Sequence, residues 1–341
     1  MSFSPNRCLI VGPSWVGDMI MAQSLFMALK QRYPLLKIDV LAPGWSKPIV
    51  ASMPEVSESI EMPLGHGKIG FAQRYRIGKA LRANSYDWAI VLPNSLKSAL
   101  IPYWAKIPKR TGYVGEMRYG LLNDVRALDK QRLSMTVQRF VALAHDKEAY
   151  SPDDYQMPKL QVSDQEIAAT MATFDLDHIV KPVLALCPGA EYGPAKRWPE
   201  AHFASLAKRV INEGWQVWLL GSDKDIPVAE EIKKLTDSEY CVSLAGKTSL
   251  QQVMNLLARA DKAVSNDSGL MHIAAAVNTP LVALYGSSDP TFTPPLSANH
   301  EILSLGLECS PCFRRECPLG TLACLEGIST DQVYVKVISR A

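Results

Sequence analysis

Short apolar runs and amphipathic stretches take turns along the whole chain. RCLIVG (7–12) reads as a buried strand, and GDMIMAQSLFMALKQRYP (17–34) as a helix stopped at Pro34. KIDVLA (37–42) is a second strand, KIGFAQRYRIGKALRAN (68–84) an amphipathic helix, and DWAIVLP (87–93) and KRTGYV (109–114) two further strands. The rhythm then lapses. SPDDYQMPKLQVSDQE carries two prolines among polar residues, and 161–181 reads as a linker. It restarts with strand PVLALCPG (182–189), helix PEAHFASLAKRVINEG (199–214), strand WQVWLLGS (215–222) and helix DIPVAEEIKKLT (225–236). Helix SLQQVMNLLARA (249–260), the short strand DKAVS (261–265) and strand PLVALYG (280–286) complete the pattern. Strands alternating with helices build parallel sheets covered on both faces. The expected fold class is therefore α/β, with Rossmann-like domains over 1–160 and 182–328 facing across a cleft. A C-terminal segment, 329–341, follows them. Ligands of such sheets bind outside the C-terminal strand ends.

Composition narrows the class. At 341 residues two domains are expected, and 48% hydrophobic with 21% charged residues is ordinary for a soluble globular protein. No apolar run reaches the roughly 18–20 residues that span a bilayer. The apolar N-terminal stretch is broken by Gly12, Pro13, Gly17 and Asp18 and lacks a charged leader, so a cytoplasmic protein is expected. Seven cysteines, an odd number, fit reduced thiols better than a disulfide framework. The net charge of +2 hides an asymmetry: residues 1–150 hold 20 Lys and Arg against 11 Asp and Glu, the remainder 16 against 23. A basic first half implies an anionic partner, unless both halves are simply solvated. Nucleic acid is the weaker choice, because no recognised binding motif accompanies the charge.

Four stretches carry candidate chemistry. GPSWVGD (12–18) spaces Gly12 and Gly17 like a P-loop, but a P-loop needs Lys after the second glycine and this chain has Asp18. A carboxylate there repels phosphate. It suits general-base work on a hydroxyl, or it is a helix-start Asp favoured by the dipole. CPGAEYGPAKRWPE (187–200) sets Lys196 and Arg197 before a helix, an anion site or a pair of solvated cations. GSDKD (221–225), with Asp223, ends the next strand, where a nucleoside could rest. SNDSGLMHIAAA (265–276) crowds Asn266, Asp267, Ser268 and His272 together and suggests a hydrolase triad. The G-x-S-x-G elbow of such enzymes is absent. Asp267 or Ser268 reads better as a helix cap, with Gly269 admitting a ligand to free N–H groups.

Two further segments are open-ended. CSPCFRRECPLGTLAC places Cys309, Cys312, Cys317 and Cys324 at spacings of which only the first pair fits a zinc knuckle; reduced thiols or a redox-sensitive loop compete with a metal site. RTGYVGEMRYGLLND (110–124) and PNSLKSAL (93–100) are basic and could line an acceptor groove through Asn94, Lys97, Arg110 and Arg118, with Gly17 beside them.

The blocks GPSWVGDMIMAQSL, MPLGHG, LPNSLKSALIP, RTGYVGEMRYGLLNDVR, CPGAEYGPAKRWP and SNDSGLMHIAAAVNTPLVALYGSSDPTFTPPL resemble, in this order from about 7 to 296, the ADP-heptose:lipopolysaccharide heptosyltransferases. The resemblance implies a GT-B fold and transfer of L-glycero-D-manno-heptose from ADP-heptose. The first four blocks point to the branch whose acceptor is the first heptose of Hep-Kdo2-lipid A; a family member with another acceptor is the alternative. It implies inversion at the anomeric carbon, no cofactor and no metal for catalysis. It places the catalytic carboxylate at Asp18, the diphosphate lysine at Lys196, the donor-binding groups at Asn266, Asp267, Ser268, Gly269 and His272, and an adenosine-side residue at Asp223. A C-terminal helix crossing back to the first domain is common in the fold, and 329–341 is short for one. The basic half would face the phosphate-bearing acceptor and the anionic inner leaflet, with the protein peripheral there. A nicotinamide oxidoreductase lacks its glycine fingerprint here, and a non-catalytic sugar-nucleotide module is disfavoured by Asp18.

Overall fold

The computed structural model describes residues 3–65, 69–146 and 150–339, and the chain divides into two compact units, Met1–Pro158 and Lys159–Ala341. The first unit runs β1 (Arg7–Val11), α1 (Val16–Arg32), β2 (Lys37–Pro43), α2 (Lys47–Ala51), β3 (Val56–Met62), α3 (Phe71–Leu81), β4 (Trp88–Val91), α4 (Leu96–Trp104), β5 (Lys109–Tyr113), β6 (Asp124–Arg126) and α5 (Thr136–Val141). The second runs α6 (Asp164–Thr173), β7 (Val183–Cys187), α7 (Glu200–Asn212), β8 (Gln216–Leu219), α8 (Ile226–Thr236), β9 (Cys241–Ser243), α9 (Leu250–Arg259), β10 (Lys262–Asn266), α10 (Gly269–Ala276), β11 (Leu281–Tyr285), β12 (His300–Ser304), α11 (Ala323–Glu326) and α12 (Thr330–Ile338).

Each unit holds one six-stranded sheet, ordered β3-β2-β1-β4-β5-β6 and β12-β11-β10-β7-β8-β9, with every pairing parallel. Read from each unit's first strand, both are the 3-2-1-4-5-6 order of a doubly wound dinucleotide fold. The expected α/β class with two Rossmann-like domains is what the structure has. In each sheet the order reverses beside the first strand, between β1 and β4 and between β7 and β10. Loops leaving those pairs diverge to opposite faces and leave a crevice.

The reading of the sequence reached β1, β2, β4, β5, β7, β8, β10 and β11 and missed β3, β6, β9 and β12. Those four are the sheet edges. Central strands such as VLALC and LVALY are buried at every residue, so they read as unbroken apolar runs. Edge strands are covered on fewer sides: VSESIEM is mostly exposed or half-buried, and DVR and CVS are three residues long.

The linker expected over 161–181 is in part a helix. Ser163 and Glu166 form a capping box at its start, and the Asn255 side-chain amide donates to Glu166 O (3.1 Å) and Thr170 Oγ1 (2.9 Å), docking α6 on α9. The S-x-x-E signal was in the sequence but hidden by the prolines before it. The C-terminal segment forms α12, and its Val333, Tyr334 and Val337 join the core under α7 in the second unit. Its last two residues, the Lys68 start of the 68–84 helix, and His66 and Gly67 of the MPLGHG block lie outside the described residues. No described helix is long and apolar enough to cross a membrane.

Candidate functional site

In the second unit, the predicted donor residues gather where β7 and β10 part. The Lys196 Nζ and Asp267 Oδ2 lie 2.5 Å apart, with the carboxylate almost fully buried and the ammonium mostly so. Asn266, wholly buried at the end of β10, accepts from the Trp198 backbone N–H (3.0 Å) and donates to Pro188 O (2.7 Å). It therefore pins both ends of the loop that carries Lys196, which makes it a positioning residue. Ser268 occupies the cap position of α10 in extended backbone, yet its hydroxyl does not cap the helix. That oxygen lies 3.3 Å from Ser265 Oγ instead. Ser268 thus leaves the first-turn N–H groups of α10 uncapped, and they carry the positive end of the helix dipole.

His272 sits one turn into α10 and is buried. Desolvation pushes its pKa down to about 4; the nearby Asp267 opposes the drop and Lys196 adds to it. The ring is neutral at physiological pH. Among the described residues no hydrogen bond joins Ser268 to His272, so the triad suggested by the sequence is not assembled. Among the described residues, Arg197 Nε, Ser287 Oγ and Ser288 Oγ at the same end of this sheet are buried with no hydrogen-bond partner. Buried donors left unpaired are expensive unless a ligand completes them. Asp223 is exposed at the end of β8, close to Gly246, where a Cβ would come 3.1 Å from its carboxylate oxygen. The neighbouring Asp225 turns inward and accepts from the Ser222 N–H (2.9 Å) and hydroxyl (2.8 Å).

In the first unit, a cavity of about 630 Å³ opens where β1 and β4 part. Strand ends Val11, Pro43 and Met62 and the loop after β4 wall it. Of the predicted acceptor residues, Asn94 and Lys97 line this cavity; Gly17, Arg110 and Arg118 are not among its lining residues. Arg118 is buried, and burial pulls its pKa down to about 10. Its guanidinium donates to Tyr113 O (2.6 Å), Pro93 O (2.5 Å) and Asn94 Oδ1 (3.2 Å), which ties down the Asn94 loop. Arg110 donates to Leu121 O and Ile107 O, both at 2.6 Å. Asp18 follows the cavity-lining Ser14 in the first turn of α1 and is half-buried.

Several lining residues escaped the sequence reading. Trp45, Ile69 and Phe71 present exposed apolar surface on the cavity, and Arg74 is buried there, donating to Ile69 O at 2.6 Å. Glu116 accepts from the Leu96 N–H at the start of α4 (2.7 Å). An arginine on the apolar face of the 68–84 helix was a usable signal. Trp45 lies in a single helical turn after β2 and Ile69 just before α3, and neither gave one.

Comparison with known proteins completes the description. Residues 74–323 match the sequence profile of glycosyltransferase family 9 (heptosyltransferase). The chain is 53% identical over 307 residues, 88% of each chain, to lipopolysaccharide heptosyltransferase 2 of Salmonella typhimurium. It is 53% identical over 306 residues, 87% of this chain and 88% of the other, to lipooligosaccharide heptosyltransferase 2 of Haemophilus influenzae. The solved structure of Escherichia coli ADP-heptose LPS heptosyltransferase II superposes with a TM-score of 0.87 at 46% identity over 97% of both chains.

Proposed function

Because the chain belongs to glycosyltransferase family 9, the heptosyltransferases, and is a glycosyltransferase, we propose that it moves L-glycero-D-manno-heptose from ADP-heptose onto the first heptose of the lipopolysaccharide inner core, with inversion. The observation that carries the reading is the Lys196–Asp267 pair beside the uncapped start of α10, at the topological switch point of the second sheet. An ammonium has three donors, so Lys196 can keep Asp267 and still reach a diphosphate oxygen. Asp267 holds the lysine in place, and the α10 N–H groups, Gly269 first, take the anion. Both stabilise the charge that grows on ADP as the glycosidic bond breaks. Asp223 faces the adenosine side.

Asp18 is the general base in this reading. It takes the proton from the acceptor hydroxyl as that oxygen attacks the anomeric carbon opposite the leaving ADP, an in-line displacement that inverts the centre. The first-unit cavity takes the acceptor sugar, with Asn94, Lys97 and Arg74 facing its polar groups and the exposed Trp45, Ile69 and Phe71 facing its less polar parts. The excess of basic residues in 1–150 draws the anionic acceptor and the anionic leaflet that carries it. No cofactor and no catalytic metal enter this scheme.

Mass spectrometry of lipopolysaccharide cores from cells with and without the protein tests the assignment. Cores that stop after the first heptose are expected in its absence. Truncation at any other sugar would assign another acceptor.

A further inference from the structure

The stretch from Leu305 to Leu322 forms neither helix nor strand. Irregular stretches longer than about 12–15 residues are uncommon inside a compact domain and need something to hold them. An apolar core does not: Phe313 is 51% and Leu319 63% exposed. Four of the seven cysteines fall in this stretch or just after it, and none is in a disulfide. Cys309, Cys312, Cys317 and Cys324 all border one cavity of about 20 Å³, which Ala195 and Ser287 also line. That is room for a single water-sized occupant. The backbone N–H groups of Leu319, Gly320, Thr321 and Leu322 point at the Cys317 sulfur.

We propose that Cys309, Cys312, Cys317 and Cys324 hold one thiophilic transition-metal ion, which braces the loop carrying Lys196. Four sulfur donors suit zinc or iron. Each thiol loses a proton on ligation, and Arg314 and Arg315, between the second and third ligands, offset the resulting negative charge. Among the described residues only Asp175, Asp177 and His178 already cluster within 4.8 Å, and these are exposed. The thiols line their cavity without being drawn together. Ligation would pull them inward by χ1 rotation, in a stretch with no sheet ladder to break.

The bracing follows from how this stretch grips its surroundings. Ala195 N–H donates to Arg315 O (3.0 Å), and Tyr192 Oη donates to Phe313 O (2.8 Å). At Gly193 a Cβ would come 2.4 Å from the Arg315 carbonyl oxygen, so the two backbones are in close contact. On the other side, Phe313 N–H donates to Ser287 O (2.7 Å) and the Ser310 hydroxyl to Gly286 O. The cysteine segment thus straps the Lys196 loop to the end of β11.

Elemental analysis of the purified full-length protein tests the site without recourse to activity. About one zinc or iron per chain is expected, the two told apart by the visible absorbance of iron thiolates. A Cys309→Ser, Cys312→Ser variant should lose the metal, and cobalt substituted into the wild type should show thiolate charge-transfer bands. Trace metal with four freely reactive thiols, or a disulfide seen by mass, would overturn the proposal, as would metal retained by the double variant. The bracing rests on the donor-site reading and has its own measurement, ADP affinity before and after stripping the metal. A several-fold weakening is expected. Unchanged affinity overturns the brace but not the metal, and failure of ADP to bind either form overturns the donor reading instead.

Discussion

In both sheets the first and fourth strands of the unit lie side by side, and the loops leaving them part. In the first unit that parting is a cavity of about 630 Å³ with apolar walls and a buried arginine. In the second the same place is occupied by the chain's own polar groups: Lys196 on Asp267, Asn266 on Pro188 and Trp198, and a buried neutral His272. The proposed function gives one topology two uses. An acceptor of varied shape needs space and a few polar anchors. A diphosphate needs fixed positive charge and N–H groups that do not reorganise as charge develops. The contrast teaches that strand order supplies only the location of a site. The residues at the strand ends decide whether it is a container or a clamp.

Substitutions can break that contrast. The largest effect is expected at Asp18: Asp18→Asn should lower the transfer rate about 10³-fold, in the range for removing a general base. ADP binding by calorimetry should stay within about two-fold of the wild type, since binding energy and proton transfer are separate here. A parallel loss of ADP binding would move Asp18 out of the base role. Next is the clamp. Lys196→Met should cost about 10²-fold or more in kcat/KM and weaken ADP, as expected when a leaving-group stabiliser is lost. Equal transfer rates at saturating donor would mean that the lysine only binds.

The pH response of the second unit follows from His272. Its folded pKa, about 4, lies below the unfolded value of about 6.5, so the unfolded chain takes up the proton first as pH falls. The histidine's contribution is complete above pH about 6.5 and is lost progressively down to pH about 4, an effect of about 3 kcal/mol. Urea melts across that window should show the decline, and His272→Gln should flatten it. A slope that survives the substitution assigns the titration to another group. Asn266→Ala leaves the Trp198 N–H and the Pro188 carbonyl unpaired and should cost about 2 kcal/mol of stability. Its effect on ADP binding should exceed that of Lys97→Ala. The smallest effect is expected at Lys97 itself, a few-fold rise in acceptor KM with donor KM unchanged, measured by varying each substrate.

Much of this was legible in the chain, and the gaps have physical causes. The central strands were readable because they are mostly buried apolar runs, and the edge strands were missed because they are short or poorly covered. α6 was hidden behind Pro152 and Pro158, although its capping box stood in plain view. Lys196 and Asp267 could be named separately from their loops. That these two residues, 71 positions apart in sequence, form an ion pair depends on β7 and β10 being neighbours. Arg118 could be named from its loop, but that it is buried and ties down the Asn94 loop could not.

The local pattern of apolar runs, caps and breakers thus determined the class of fold, the two sheets' central strands and the strand ends at which chemistry had to lie. Tertiary structure alone decided which side chains at those ends face each other. It pairs Lys196 with Asp267, bonds Asn266 to the backbone at Trp198 and Pro188, buries His272 as a neutral ring and brings four cysteines around one small cavity. The reason is one of range. Periodicity and capping act over a few residues and are written in order along the chain, whereas these contacts join segments whose nearness exists only once a parallel sheet has placed them side by side.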